Sequence, residues 1–201
     1  TLLAATVDAA HPLLGQSEPY RVLAARCYGS VASVPLAPAM YFMANKEIDG
    51  GRADILHLHP PNPWGDFLAI RNKKKLPTIM TWHSDIIRQK RLMKMYAGVQ
   101  QAALDACTLI FVPTPKHYES STQLKTVDVE KKIRVVPFGI DFEGYDRTPI
   151  VDLPEHLVQR IGSRRMVLTV GRHVSYKGYD VLVKAFRLVD PDSVLVFVGS
   201  G

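Results

Sequence analysis

The chain has 201 residues, 47% of them apolar, enough to bury the core of one large domain or parts of two. Its 25 basic residues outnumber the 19 acidic ones, giving +6, which suits anionic partners such as nucleotide phosphates or an acidic membrane surface; without a nucleic-acid module or aromatics interleaved with the basic residues, no nucleic-acid partner is expected. No apolar run nears the roughly 20 residues that cross a bilayer, Thr1 to Ala5 lack the positive flank of a signal peptide, and Cys27 and Cys107 form neither a disulfide framework nor a metal motif, so a cytoplasmic protein with reduced thiols is expected.

In chain order, Arg21 to Arg26 reads as a strand and Val31 to Leu36 as an extended piece. Ala39 to Ile48 has helical composition, stopped by Gly50 and Gly51. Ile55-Leu56-His57-Leu58-His59 reads as a strand, ended by Pro60, Pro61 and Pro63. Two apart on a strand, His57 and His59 point to one face; with no third ligand nearby, a structural or cleft-edge role displaces a metal pair, and no metal is expected. Asn62-Pro63 starts a helix through Asn72, and Lys73 to Lys75 close it, where cations suit the helix dipole. Pro77 to Trp82 is the next strand. It delivers His83, Ser84 and Asp85 to its carboxyl end, the edge where parallel α/β sheets hold ligands. An imidazole there can donate to a hydroxyl or a developing charge, or be satisfied by local backbone. Asp85 can orient His83, bind an acceptor hydroxyl or cap the following helix, and capping is the expected role.

That helix sets Arg88, Lys90, Arg91 and Lys94 against Leu92, Tyr96, Val99, Ala103 and Ala106. Basic and amphipathic, it suits either an anionic membrane or ordinary packing on the sheet. Leu109 to Val112 reads as a strand, Lys116 to Lys125 as a helix and Ile133 to Val136 as a strand leading into Pro137-Phe138-Gly139-Ile140-Asp141. A short helix is expected over Leu153 to Ile161. Met166 to Val170 is an apolar run that suits a strand covered on both faces. Val181, Leu182, Ala185, Phe186 and Val189 then recur at helical spacing, and Val194 to Val198 supplies a second buried strand, giving a βαβ unit with a right-handed crossover. Its first turn is Gly171-Arg172-His173-Val174-Ser175-Tyr176-Lys177-Gly178. Arg172 can fork onto two phosphate oxygens and Lys177 adds a mobile point charge, a pair suited to a diphosphate; the alternative is two solvated surface cations. Gly171 and Gly178 let backbone approach a ligand.

VLTVGRHVSYKGYDVLVKAF resembles the signature of family 4 glycosyltransferases, and TWHSDIIRQKRL and VVPFGIDFEGYD resemble further family segments in the expected order. Together they cover most of the chain from about Asp54. The resemblance implies an α/β fold of GT-B type, two Rossmann-like domains with parallel sheets, both truncated in this chain: residues 1–145 as the N-terminal acceptor-side domain, its opening strand and Gly-rich loop missing, and 146–201 as the beginning of the C-terminal donor-binding domain. It implies a retaining transfer of sugar from a nucleotide-diphosphate donor to a hydroxyl acceptor, with no cofactor and no metal. Arg172 and Lys177 match the cations that contact the donor diphosphate, beside Gly171. His83 matches the histidine that reaches toward the transferred sugar, and His59 and Asp85 become candidate acceptor or sugar contacts. TWHSDIIRQK resembles envelope-polysaccharide mannosyl- or rhamnosyltransferases. A lipid-linked acceptor would suit the basic helix and set the protein against the inner face of the cell membrane. Two alternatives stay open: a sugar-nucleotide epimerase or phosphorylase of the same architecture, and a non-catalytic module binding sugar nucleotides or membranes.

Overall fold

A computed structural model describes residues 1–6, 21–31, 34–87, 90–143 and 152–201. The chain divides into two compact units, Thr1–Ile140 and Asp141–Gly201. Arg88 of the basic helix, and Tyr145 where the boundary was expected, lie outside the described residues.

The first unit opens with a parallel pair, β1 (Leu2–Thr6) and β2 (Val22–Arg26), followed by a short antiparallel hairpin of β3 (Ser30–Val31) and β4 (Val34–Pro35). The sequence pattern had not assigned β1. Helix α1 (Ala39–Asp49) ends where the Gly50 amide donates to the Lys46 carbonyl. There follow β5 (Leu56–Leu58), α2 (Pro63–Asn72), β6 (Thr78–Thr81), α3 (Lys90–Ala106), β7 (Leu109–Val112), α4 (Pro115–Ser120), α5 (Val129–Lys132) and β8 (Ile133–Val135). Strands β5 to β8 form one parallel sheet in chain order.

Register explains why that sheet holds. Leu58 lies beside Met80, Met80 beside Ile110 and Ile110 beside Ile133, one apolar line across all four strands. All four are buried and pack with Trp82, Val112 and the α3 residues Ala103 and Leu104. Each such side chain contributes about 1.5 to 3 kcal/mol by leaving water. Just after α3, Cys107 joins this core; burial pushes its thiol up to about 12, so it stays protonated and inert, as a buried reduced cysteine should.

Three expectations give way here. The buried or half-buried stripe of α3 runs through Met93, Tyr96, Gln100, Ala103 and Leu104, so Met93 takes the inward place expected of Leu92. Leu92 is 50% exposed and Met95 84%. Second, the helix expected from Lys116 to Lys125 stops at Ser120, because Ser121 turns extended (φ −67°, ψ 129°) where the next amides bond to Asp85. Third, in the second unit β9 (Arg165–Val170) is not covered on both faces: Met166, Val167, Leu168 and Val170 are exposed, and among the described residues it pairs with β10 (Ser193–Val198) alone. That unit also holds α6 (Glu155–Ile161), a 3-10 turn (Ser175–Lys177) that the sequence pattern did not show, and α7 (Tyr179–Phe186).

One buried acid in the first unit carries a measurable consequence. Asp66, in the first turn of α2, is 5% exposed and accepts a hydrogen bond from the Tyr96 hydroxyl. Burial pushes its carboxyl up to about 6 although that hydrogen bond opposes the shift. A folded-state pKa above the unfolded one means that the stability tied to a protonated Asp66 is complete below about pH 4 and is lost as pH rises through about 6. Asp66→Asn keeps an oxygen for Tyr96 without the charge. We expect it to raise unfolding free energy by about 1 to 2 kcal/mol at pH 7.5 and by much less at pH 4.5. Urea titrations at the two pH values check this; a loss at pH 7.5 would reject the burial account.

Candidate functional site

Each strand of the parallel sheet delivers a ring to its carboxyl edge. Pro60 and Pro61 end β5 just past His57 and His59, and β6 runs through Trp82 into His83. Beyond β7 lies His117 in α4, and beyond β8 lies Phe138. The structure brings His59 and His83 together, with 2.8 Å between His59 Nδ1 and His83 Nε2. Their rings meet edge to edge across this bond, with centroids 5.1 Å apart and planes 22° apart, and Phe138 stacks on His83 at 5.5 Å and 12°. His57 packs 4.7 Å from His59 and bonds through Nε2 to Thr81 Oγ1 at 2.8 Å.

The same-face spacing of His57 and His59 was readable from the strand period. The partners Phe138 and Thr81 were not, since only the sheet brings them near. Partial desolvation lowers the pKa of all three imidazoles, with a smaller contribution from neighbouring histidines: His83 acting on His57, His57 on His59, and His59 and His117 on His83. The row is therefore uncharged at neutral pH, and acts through N–H groups and lone pairs. Among the described residues no group of three or more His, Cys, Asp or Glu could hold a metal ion.

Asp85 has a task that the sequence did not show. Among the described residues it makes no hydrogen bond to His83. Its Oδ1 accepts from Trp82 Nε1 (3.1 Å) and Ser121 Oγ (2.6 Å), and its Oδ2 from the Thr122 amide (2.8 Å), Thr122 Oγ1 (3.1 Å) and the Gln123 amide (3.4 Å). Partial burial works against its charge, but the bonds from Ser121, Thr122 and Trp82 outweigh it and hold the carboxyl below the ordinary range. Asp85 thus clasps the segment after α4 to the strand end that bears His83. With five donors on its two oxygens, this carboxylate acts as a structural tie.

In the second unit, Gly171, Arg172 and Lys177 lie on the loop between β9 and α7. The Gly171 amide donates to Val198 and the His173 amide to Ser200, so residues 199 to 201 run along the loop. Gly199 makes this possible: its φ is +144°, and a Cβ there would run into the Gly171 carbonyl oxygen. The His173 ring meets Tyr179 edge-on at 5.3 Å, anchoring the loop, while the 3-10 turn closes with the Lys177 amide on the Val174 carbonyl. Gly178, left-handed at φ +68°, then starts α7. Arg172 and Lys177 are exposed, and the Lys177 ammonium lies 5.8 Å over the Tyr176 ring. The loop offers two cations and a helix N-terminus at one strand end, a combination suited to phosphate oxygens.

Comparison with known proteins puts this geometry in context. Residues 4–143 match the model of Glycosyltransferase Family 4, a span that starts some fifty residues before the motifs read from the sequence. The D-rhamnosyltransferase WbpZ of Pseudomonas aeruginosa is 33% identical over 149 residues, 74% of this chain and 38% of the relative. The O-antigen chain mannosyltransferase C of Escherichia coli is 34% identical over 132 residues, 66% of this chain and 34% of the relative. The chain thus spans little more than a third of the length of these relatives. Among solved structures, Anabaena Alr3699/HepE in complex with UDP-glucose superposes with a TM-score of 0.64 at 16% identity, over 98% of this chain and 52% of that one.

Proposed function

The chain belongs to glycosyltransferase family 4 and has an α/β fold of the GT-B type, and from that premise we propose that the protein transfers a sugar, with retention, from a nucleotide-diphosphate donor to a hydroxyl acceptor during cell-envelope or exopolysaccharide synthesis. The observation that carries the proposal is the loop from Gly171 to Gly178, whose two exposed cations and helix N-terminus meet the need of a departing diphosphate for charge stabilisation. Residues up to about 145 belong to the acceptor side and the remainder to the donor side. His83, uncharged at the edge of the parallel sheet, contacts the transferred sugar. The relatives named for rhamnose and mannose favour one of those hexoses.

The acceptor is read as lipid-linked, with the protein working from the cytoplasm against an anionic membrane surface. No helix among the described residues is long and apolar enough to cross a membrane. Helix α3 instead exposes Leu92 and Met95 beside Arg91 and Lys94, an apolar stripe flanked by cations that suits the interface.

The test offers the full-length protein a panel of GDP-, UDP- and dTDP-sugars with an acceptor lipid in anionic vesicles. Transfer from one donor is expected; donor epimerisation, or binding with no transfer, rejects the proposal. Reversing charge at Arg91 and Lys94 should weaken vesicle binding by about 2 kcal/mol or more, at about 1 kcal/mol per cation lost, and leave transfer to a soluble acceptor intact. Unchanged vesicle binding returns α3 to an ordinary surface helix.

A further inference from the structure

A neutral imidazole has one N–H and one lone pair. In the pair that joins His59 Nδ1 to His83 Nε2 at 2.8 Å, one ring therefore donates and the other accepts. Two consequences follow. Nε2 of His83 is occupied, so Nδ1 is the nitrogen through which His83 can meet a ligand. The outer nitrogens of the pair, His59 Nε2 and His83 Nδ1, are always of opposite kind, one donor and one acceptor. A sugar hydroxyl both donates and accepts, so neighbouring hydroxyls of a hexose match such a pair. The ring of His83 is also held in place, bonded edge to edge to His59 and stacked on Phe138. His59 is braced in turn by His57, which is tied to Thr81.

We propose that His59 is a positioning residue for His83: it couples the proton placement of His83 to its own, and so makes the pair a complementary donor and acceptor for hydroxyls of the transferred sugar. The proposal rests on the reading of His83 as the sugar contact. The titratable groups around the pair are His57 from β5 and His117 from α4, with Asp85 two residues along the chain engaged by residues 121 to 123. An extra proton on the pair turns both outer nitrogens into donors and destroys the match, so transfer falls as pH drops through the titration of the pair.

The experiment compares wild type, His59→Phe and His59→Asn in the full-length protein. Phenylalanine keeps an aromatic ring beside His83 and removes the hydrogen bond, whereas an asparagine amide can stand where Nδ1 stood. Nitrogen NMR of labelled histidine reports proton placement and titration of His83 without any reaction. In His59→Phe, His83 is expected to lose the hydrogen bond that couples its proton placement to His59, and with that neighbouring imidazole gone to titrate nearer the ordinary imidazole value. The acid limb of the kcat profile should move the same way, and kcat should fall roughly tenfold to a hundredfold with donor KM little changed; His59→Asn should recover most of kcat. If His83 titrates and holds its proton in His59→Phe as in wild type, the positioning role is overturned. If its titration moves while kcat does not, His59 positions the ring and the sugar-contact reading is what fails.

Discussion

Arg172→Ala and Lys177→Ala are each expected to lower kcat/KM for the donor by about 30- to 1,000-fold, a loss of about 2 to 4 kcal/mol of transition-state stabilisation. The departing diphosphate gains charge as the glycosidic bond breaks, so donors already in place help most at that moment. The loop is built to have them in place. Its backbone is fixed at both ends by the Gly171 and His173 amides on the Val198 and Ser200 carbonyls and by the left-handed Gly178 before α7. Arg172 and Lys177 stay exposed beside it. A planar fork and a mobile ammonium are not interchangeable, so Arg172→Lys should recover only part of the loss. Nucleotide-diphosphate affinity should weaken in both alanine variants. Steady-state kinetics with calorimetry of diphosphate binding checks this, and wild-type turnover in both would remove the loop from the donor site.

Asp85→Ala is expected to lower the unfolding free energy by about 2 to 4 kcal/mol, because hydrogen bonds to a charged acceptor are strong and buried donors left unpaired are costly. Trp82 Nε1 and Ser121 Oγ both belong to buried residues and both lose their acceptor. The Thr122 and Gln123 amides are freed at the same time. Asp85→Asn keeps one acceptor oxygen and should fall between. Since the folded-state carboxyl is held below its ordinary range, its contribution is complete above the unfolded pKa near 4 and is lost as pH falls through the lower folded value. Chemical denaturation of the three proteins at pH 7 and pH 3 tests the magnitude and the sign. An alanine variant as stable as wild type at pH 7 would leave the clasp without energetic weight.

Particular residues show how much was legible. The parallel sheet could be read because apolar runs such as Thr78 to Trp82 are bounded by proline and followed by amphipathic spacing. The strand period put His57 and His59 on one face, and the strand end put His83 at the ligand edge. The tie made by Asp85 was not legible because its partners Ser121, Thr122 and Gln123 lie 36 to 38 residues further on, beyond the reach of any local period. The length of α4 was missed for the same reason. Leu92 and Met93 are adjacent apolar residues, so spacing alone could not decide which turned inward. The exposure of β9 is set by its neighbours in the sheet, and its sequence reports only that it is apolar.

In the sheet from β5 to β8, spatial order equals chain order: Leu56 pairs with Thr78, Ile79 with Leu109 and Ile110 with Ile133. Each strand after β5 thus meets a neighbour already made as it leaves the ribosome, and closing each short crossover costs little more entropy than the one before. No strand of this sheet must wait for a segment synthesised later to be inserted between it and its partner. Assembly can advance by one helix and one strand at a time, with β8 completing a surface on which the three earlier strands are already laid down.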